Sequence, residues 1–369
     1  MTSVTDLVGQ INKDYGNIAM KAVAIPGIER LPTGWFPFDL AIGGGLPEGK
    51  VTTFFGPESS GKTNAALKAI GAYQQIHPKK TCVFVDVEHS FDSPWAQSLG
   101  VDLDKLLVIK PGYAEQTVDI IDKFLREADD LGLMVVDSIA AMITTNEAES
   151  SAEKAVVGGN ALVIGKLGRK LILGMAKAFE QGRTPTIILI NQIRYKIGVM
   201  FGDPETMPGG KIIPHISSLI VRFYGKNIVD PKINKELPCR KKTSFILKKW
   251  KCQIVQTHGE YEMVTIPHDD MEAGEVSDWN LVSSRLKAYG HLVKGNNKQP
   301  WILFGEVYKT LVEIREKLAK DGDFDFRVRK VIFDQAVAEA NNLPVVFDGF
   351  DLKAGEKDIT AALEKKLAG

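Results

Sequence analysis

Between about residue 50 and residue 260, short apolar runs alternate with stretches whose apolar positions recur at helical spacing. The strand candidates are 51–55, 81–87, 106–109, 132–137, 185–190, 216–224 and 243–250. Helical patterns fall at 62–76, 93–99, 115–128 and 160–180. This alternation predicts an α/β fold, a mainly parallel central sheet covered by helices on both faces. The last two runs lack a long intervening helix and predict an antiparallel extension.

A separate amphipathic helix is expected over residues 2–20, with Val4, Leu7, Val8, Ile11, Tyr15 and Ile18 on one stripe. Pro26-Gly27 and Pro32-Thr33-Gly34 set it apart from the core. Its stripe suits docking on another chain and equally suits folding back on its own core. Beyond 260, helical patterns at 279–293, 304–319, 325–342 and 357–367 are separated by Gly, Asn and Pro. They predict a small α-rich C-terminal domain. The expected division is therefore an N-terminal helix (1–25), a core (26–260) and a C-terminal domain (261–369).

Composition narrows the class. Of the 369 residues, 44% are hydrophobic and 25% charged, as in soluble globular proteins. No apolar run is long enough to span a bilayer, and Met1–Asp6 lacks the basic and apolar regions of a signal peptide. No membrane partner is expected. Cys82, Cys239 and Cys252 are unclustered and read as reduced thiols of a cytoplasmic protein. Net charge is zero, so any electrostatic argument rests on local placement. One such place is 226–251, with nine Lys or Arg against only Asp230 and Glu236. That run is either a solvated face or a surface for phosphate, of nucleic acid or of a nucleotide on a neighbouring subunit.

The sharpest motif is Gly56-Pro57-Glu58-Ser59-Ser60-Gly61-Lys62-Thr63, which fits the G-x-x-x-x-G-K-[ST] phosphate loop. A strand-like run precedes it and a helix-like run follows, so free N–H groups at the helix start would face phosphate. Lys62 would reach the β- and γ-phosphates of ATP, and Thr63 would hold Mg²⁺. Leu133-Met-Val-Val-Asp137 supplies a carboxylate at the end of a neighbouring strand, suited to the same Mg²⁺. Another strand runs into Asp86-Val87-Glu88. Alternation places Asp86 and Glu88 on one face, and Glu88 is the better general base. A third strand ends in Asn191-Gln192, amides that can touch a γ-phosphate. A long glycine-punctuated segment follows, 193–210, mixing Arg194, Tyr195, Lys196, Ile197, Met200 and Phe201. Basic residues beside apolar and aromatic ones suit single-stranded nucleic acid.

These segments together resemble the RecA recombinase family, and within it a bacteriophage-type member. The similarity is carried by 56–63, Phe84–Asp92, Val135–Ser138 and Ile190–Thr206, with Gly9–Gly16 similar to the family's polymerisation helix. It covers residues 1–255 and is weak beyond about 260. The resemblance implies an enzyme, a DNA-dependent ATPase that forms helical filaments on single-stranded DNA and exchanges strands with duplex DNA in recombination and repair. It also implies single-strand-binding and mediator proteins as partners. By position, Glu88 matches the catalytic base, Lys62, Thr63 and Asp137 the nucleotide and metal ligands, and Gln192 the γ-phosphate sensor. Asn64 extends the nucleotide loop, while Asp92 and Trp95 hold adenine-side positions. Lys249 and Lys251 match a pair that reaches a neighbouring subunit's γ-phosphate. DNA contacts fall on Val157, Gly158 and Gly159 of a first loop, on Arg169, and on a second loop. That second loop includes Arg194, Lys196, Ile197, Gly198, Met200, Phe201, Gly209 and Gly210. Pro214 and His215 stand where bacterial members place interface residues. The competing expectations are a ring-forming RecA-fold motor (helicase-like or KaiC-like) and a DNA-binding regulator that does not hydrolyse ATP.

Overall fold

The structure, a computed structural model, describes residues 2–15, 22, 27–150, 159–195, 205–294 and 300–341. Helix α1 (Val4–Tyr15) begins at a reciprocal cap. The Ser3 hydroxyl accepts from the Asp6 N–H at 3.1 Å, and the Asp6 carboxylate accepts from the Ser3 N–H at 3.2 Å. Val4 and Leu7 on its stripe are exposed. Residues 16–20 of the expected helix lie outside the described residues.

The core then runs α2 (Phe36–Ala41), β1 (Val51–Gly56), α3 (Lys62–Ile76), β2 (Thr81–Asp86), α4 (Ser93–Ser98) and β3 (Leu106–Ile109). It continues through α5 (Ala114–Glu127), β4 (Leu131–Asp137), α6 (Thr145–Glu149), α7 (Gly159–Glu180) and β5 (Thr186–Gln192). It closes with α8 (Ile212–Ile216), β6 (Leu219–Ile228), β7 (Arg240–Trp250), β8 (His258–Val264) and β9 (Val276–Ser277). These strands form one nine-stranded sheet in the order β9-β8-β7-β6-β1-β5-β4-β2-β3. From β6 to β3 all neighbours are parallel. Strands β7, β8 and β9 extend the sheet antiparallel. Of the two runs expected there, 243–250 does so, whereas 216–224 becomes β6, which joins the parallel part of the sheet beside β1 and turns antiparallel only toward β7.

Why the apolar runs become strands is visible in their alternation. Along β4, Leu133 and Val135 enter the core shared with α3, while Met134 and Val136 enter the opposite core with α5 and α7. Along β5, Ile188 and Ile190 divide from Ile187 and Leu189 in the same way. A strand buried on both faces reads as a continuous apolar run. Each such side chain contributes about 1.5–3 kcal/mol of burial.

The C-terminal part corrects one expectation. It contains α9 (Trp279–Ala288), α10 (Leu311–Lys320) and α11 (Gly322–Ala340), but also a three-stranded antiparallel sheet of 292–294, 301–303 and 306–308. The helical patterns at 279–293 and 304–319 are therefore shorter than expected. Gly290, at φ +76°, lies just past the end of α9. Phe304 and Gly305, both at positive φ, make the tight turn between the last two strands. The pattern at 357–367 lies outside the described residues. This unit packs Leu286, Leu303, Ile314, Phe324 and Ile332 together with Leu40 of α2. Residue 260 falls inside β8, and the large sheet continues to Ser277.

Candidate active site

The phosphate loop leaves β1 at the middle of the sheet, between β6 and β5. A Cβ on Gly56 would meet the Phe223 carbonyl oxygen at 2.4 Å, so only glycine lets β6 approach there. Gly61 turns the chain at φ +99° and serves as the N-cap of α3 without a side-chain cap bond. The free end of α3 therefore points its N–H groups into the loop. The Lys62 ammonium is buried and donates to the carbonyls of Gly56 at 3.2 Å and Pro57 at 2.6 Å. Burial holds its pKa below the usual lysine value, opposed by the nearby Asp137, Glu88 and Glu58 charges. Pro57, Glu58 and Ser59 are exposed on the loop, and Ser60 is buried beneath it.

The carboxylates converge from two strands. The Thr63 hydroxyl donates to Asp137 at 2.7 Å, placing two hard oxygen donors side by side. Burial pushes the Asp137 carboxyl up to about 6, while the Thr63 bond pulls the other way. Asp86, fully buried at the end of β2, accepts from the Ser90 and Phe91 N–H groups and holds the following bend. Here the structure corrects the expected shared face. The strand stops at Asp86, and Glu88 reaches the site through the bend at 87–89. Its Oε1 accepts from Ser138 Oγ at 2.5 Å and from Gln192 Nε2 at 3.0 Å. A general base candidate, the amide at the end of β5 and the residue after Asp137 thus share one oxygen. Ser138 was not a candidate from sequence, although its place directly after Asp137 was the available signal.

On the other side of the loop, Trp95 Nε1 donates to Asn64 Oδ1 at 3.0 Å, and Asp92 caps α4 by accepting from the Trp95 N–H at 3.1 Å. The adenine-side candidates are therefore adjacent.

The second loop is closed at its base by an antiparallel pair, Arg194 with Thr206 and Tyr195 with Glu205. Buried Arg222 of β6 pairs with Glu205 and lies over the Tyr224 ring at 3.7 Å. Buried Asn191 donates to the Pro208 carbonyl at 3.0 Å. Gly209, at φ +95°, packs so closely on Ile164 that a Cβ would stand 2.5 Å from it. Gly210 also has positive φ. Gly159 opens α7, and Arg169 is exposed on the same helix. Val157, Gly158, Lys196, Ile197, Gly198, Met200 and Phe201 lie outside the described residues. Lys249 donates to the Pro214 carbonyl, and Lys251 to the His215 carbonyl at 3.2 Å. The two ammonium groups therefore meet at the end of α8, away from Lys62 of the same chain in sequence and bonding.

Three features of the floor escaped the sequence. They are Gly225, Thr243 and the Arg222–Glu205 pair. A Cβ on Gly225 would meet the Ser59 carbonyl at 2.5 Å, and Thr243 Oγ1 stands 2.9 Å from a Cβ placed on Gly61. A glycine inside a strand pattern is the signal that marks such a close approach.

A protein-family model described as "RecA N-terminal domain" matches residues 2–258. The chain belongs to the RecA family. Similar RecA-family proteins include Protein RecA of Aquifex pyrophilus, 39% identical over 59% of this chain and 62% of that protein. Protein RecA of Saccharopolyspora erythraea is 40% identical over 58% of this chain and 60% of that protein. Protein RecA of Acinetobacter baylyi is 39% identical over the same shares. The chain thus spans about three fifths of the length of these curated relatives. The RecA match contains the phosphate loop, Glu88, Asp137, Gln192 and the lysine pair, and stops near the start of β8.

Proposed function

We propose that this chain is an ATP-dependent DNA recombinase that assembles as a helical filament on single-stranded DNA and pairs it with duplex DNA. The observation that carries the reading is the shared oxygen of Glu88, which accepts from Gln192 at the head of the second loop. Directly before Gln192, Asn191 holds that loop's return at Pro208. Consecutive residues of β5 thus touch the candidate base and the candidate DNA loop. Glu88 takes the proton of the attacking water, while Ser138 and Gln192 fix its orientation. Lys62 moves its ammonium from loop carbonyls to phosphate oxygens. Arg194 and Arg169 present cations for the DNA backbone, and Lys249 and Lys251 reach a neighbouring subunit's nucleotide.

Thr63 and Asp137 fit Mg²⁺ in donor chemistry. Among the described residues no cluster of three or more acidic, His or Cys side chains competes for a metal. Mg²⁺ commonly takes one or two protein oxygens and completes its shell with phosphate and water. When bound, it neutralises charge on the phosphate oxygens. Asp137 is raised to about 6, so it is neutral below that value and charged above it. Mg²⁺-dependent nucleotide affinity is expected to fall as pH drops from about 7 to about 5. Titration of a fluorescent nucleotide with and without Mg²⁺ checks this, and a flat Mg²⁺ dependence would remove Asp137 from the metal site.

The same reading gives α1 to subunit contact and the segment after β9 to a separate C-terminal domain. Single-strand-binding and mediator proteins are its expected partners. Within the family the reading is a bacteriophage-type member, on the resemblance carried by 56–63, Phe84–Asp92, Val135–Ser138 and Ile190–Thr206, with Pro214 and His215 as departures from the bacterial interface pattern. Among the described residues no helix is long and apolar enough to cross a membrane. The deciding experiment is ATP hydrolysis with and without single-stranded DNA, with the same samples imaged by electron microscopy. Strong stimulation with helical filaments is expected. DNA-independent turnover with closed rings would replace the recombinase by a ring motor, and DNA binding without hydrolysis would replace it by a regulator.

A further inference from the structure

The antiparallel extension carries a cation that the nucleotide machinery above does not use. Lys241 lies on β7, two residues before Thr243, so both side chains stand on one face of the sheet. Thr243 faces Gly61 of the phosphate loop. In the ladder Lys241 lies opposite Asn227 on one side and Met263 on the other. The Met263 sulfur is 3.8 Å from the Asn64 amide, in the first turn of α3. Asn64 in turn holds Trp95. Lys241 therefore sits one pleat beyond the seat of the loop, toward its adenine side.

Its neighbours along the strand are paired. Lys242 meets Glu260 at 2.7 Å, and Arg240 meets Glu262 at 3.3 Å. Among the described residues Lys241 has neither a hydrogen-bond nor an ion-pair partner, although it is half-buried. Its charge is also close enough to oppose that of Lys62. Two partly desolvated ammonium groups facing one loop repel each other unless an anion lies between them. The anion this loop is built for is a phosphate chain.

We infer that Lys241 is a second cationic ligand, within the same chain, for the phosphate chain of the bound nucleotide, on the side nearer the base. Lys62 grips the distal phosphates and Lys241 the proximal one. This rests on the nucleotide reading proposed above.

The test is a competition series with ATP, ADP, AMP and adenosine against a fluorescent ADP. It compares the parent chain with Lys241→Met, Lys241→Gln and Lys241→Arg. Methionine keeps the apolar stem and glutamine keeps polarity, so either one that holds the parental melting temperature gives the answer. Loss of a charge-assisted contact to the proximal phosphate weakens ATP, ADP and AMP alike, by about tenfold or more. Adenosine is unaffected, and Lys241→Arg recovers most of the affinity. Unchanged ATP and ADP affinity in the Met and Gln variants would overturn the inference while leaving nucleotide binding intact. An equal loss for adenosine would overturn it too, because the lysine would then act without phosphate. A parent chain that binds no ATP would instead remove the nucleotide reading itself.

Discussion

Glu88→Gln is expected to bind ATP as the parent does and to hydrolyse it about 10²–10⁴-fold more slowly. The large effect follows from how Glu88 is held. Its Oε1 accepts two hydrogen bonds, from Ser138 and Gln192, so its position is fixed by neighbours rather than by its own backbone. Glutamine keeps a side-chain oxygen of the same reach, and both donors retain an acceptor. The capacity to take a proton from water is what disappears. Geometry and charge chemistry are thereby separated in one substitution. Nucleotide affinity and single-turnover hydrolysis measured on the same preparation check it. Normal turnover would take Glu88 out of the base role, and lost affinity would mean that the carboxylate holds the loop together instead.

The second large effect is expected at a residue that supports the phosphate loop from β6. Gly225→Ala places a Cβ 2.5 Å from the Ser59 carbonyl and 2.7 Å from the Ser60 Cα. Both atoms are backbone of the phosphate loop, so no flexible side chain can yield. Either the loop lifts or β6 bends. Misplacement of a binding loop by about an ångström costs on the order of 100-fold, and overpacking costs about 1–3 kcal/mol of stability. We expect ATP affinity to fall about 100-fold, with only a modest drop in melting temperature. Gly322→Ala is the control, because a Cβ there meets nothing within 4 Å. Parental ATP affinity in Gly225→Ala would show that the loop does not depend on this floor.

The two substitutions also mark what could be read from the chain before the fold was known. The octet at 56–63 is contiguous, and its strand and helix flank it directly, so its whole local context is printed in order. Asp137 and Gln192 were legible because each closes an apolar run at a strand end. Glu88 reaches the candidate site by a different route from the one its pattern predicts. Alternation suggested a strand position, whereas the chain bends after Asp86 and His89 adopts φ +55°. Gly225 and Thr243 meet the loop only through pairing across more than 160 residues; a glycine in a strand pattern marks a close approach, but nothing local says which distant segment approaches. The small C-terminal sheet was missed because its strands have three residues each, too few to show a period. Its turn also uses Phe304 at φ +50°, a residue that seldom signals a left-handed position.

The place of β1 in the middle of the sheet has a consequence for how the protein is made. Its partners β5 and β6, and the floor strand β7, are encoded far downstream. A ribosome delivers the chain from its N-terminus at about 5–20 residues per second. The phosphate loop therefore emerges roughly 190 residues, or about 10–40 seconds, before the last strand of its floor. Until β5 is made the strand bearing Gly56 presents two open edges, and until β6 is made it still presents one. A nascent chain arrested near residue 200 would carry the complete octet and still lack a pocket. The surroundings of the phosphate loop are in that sense completed from the far half of the sheet, only once β6 and β7 have been made.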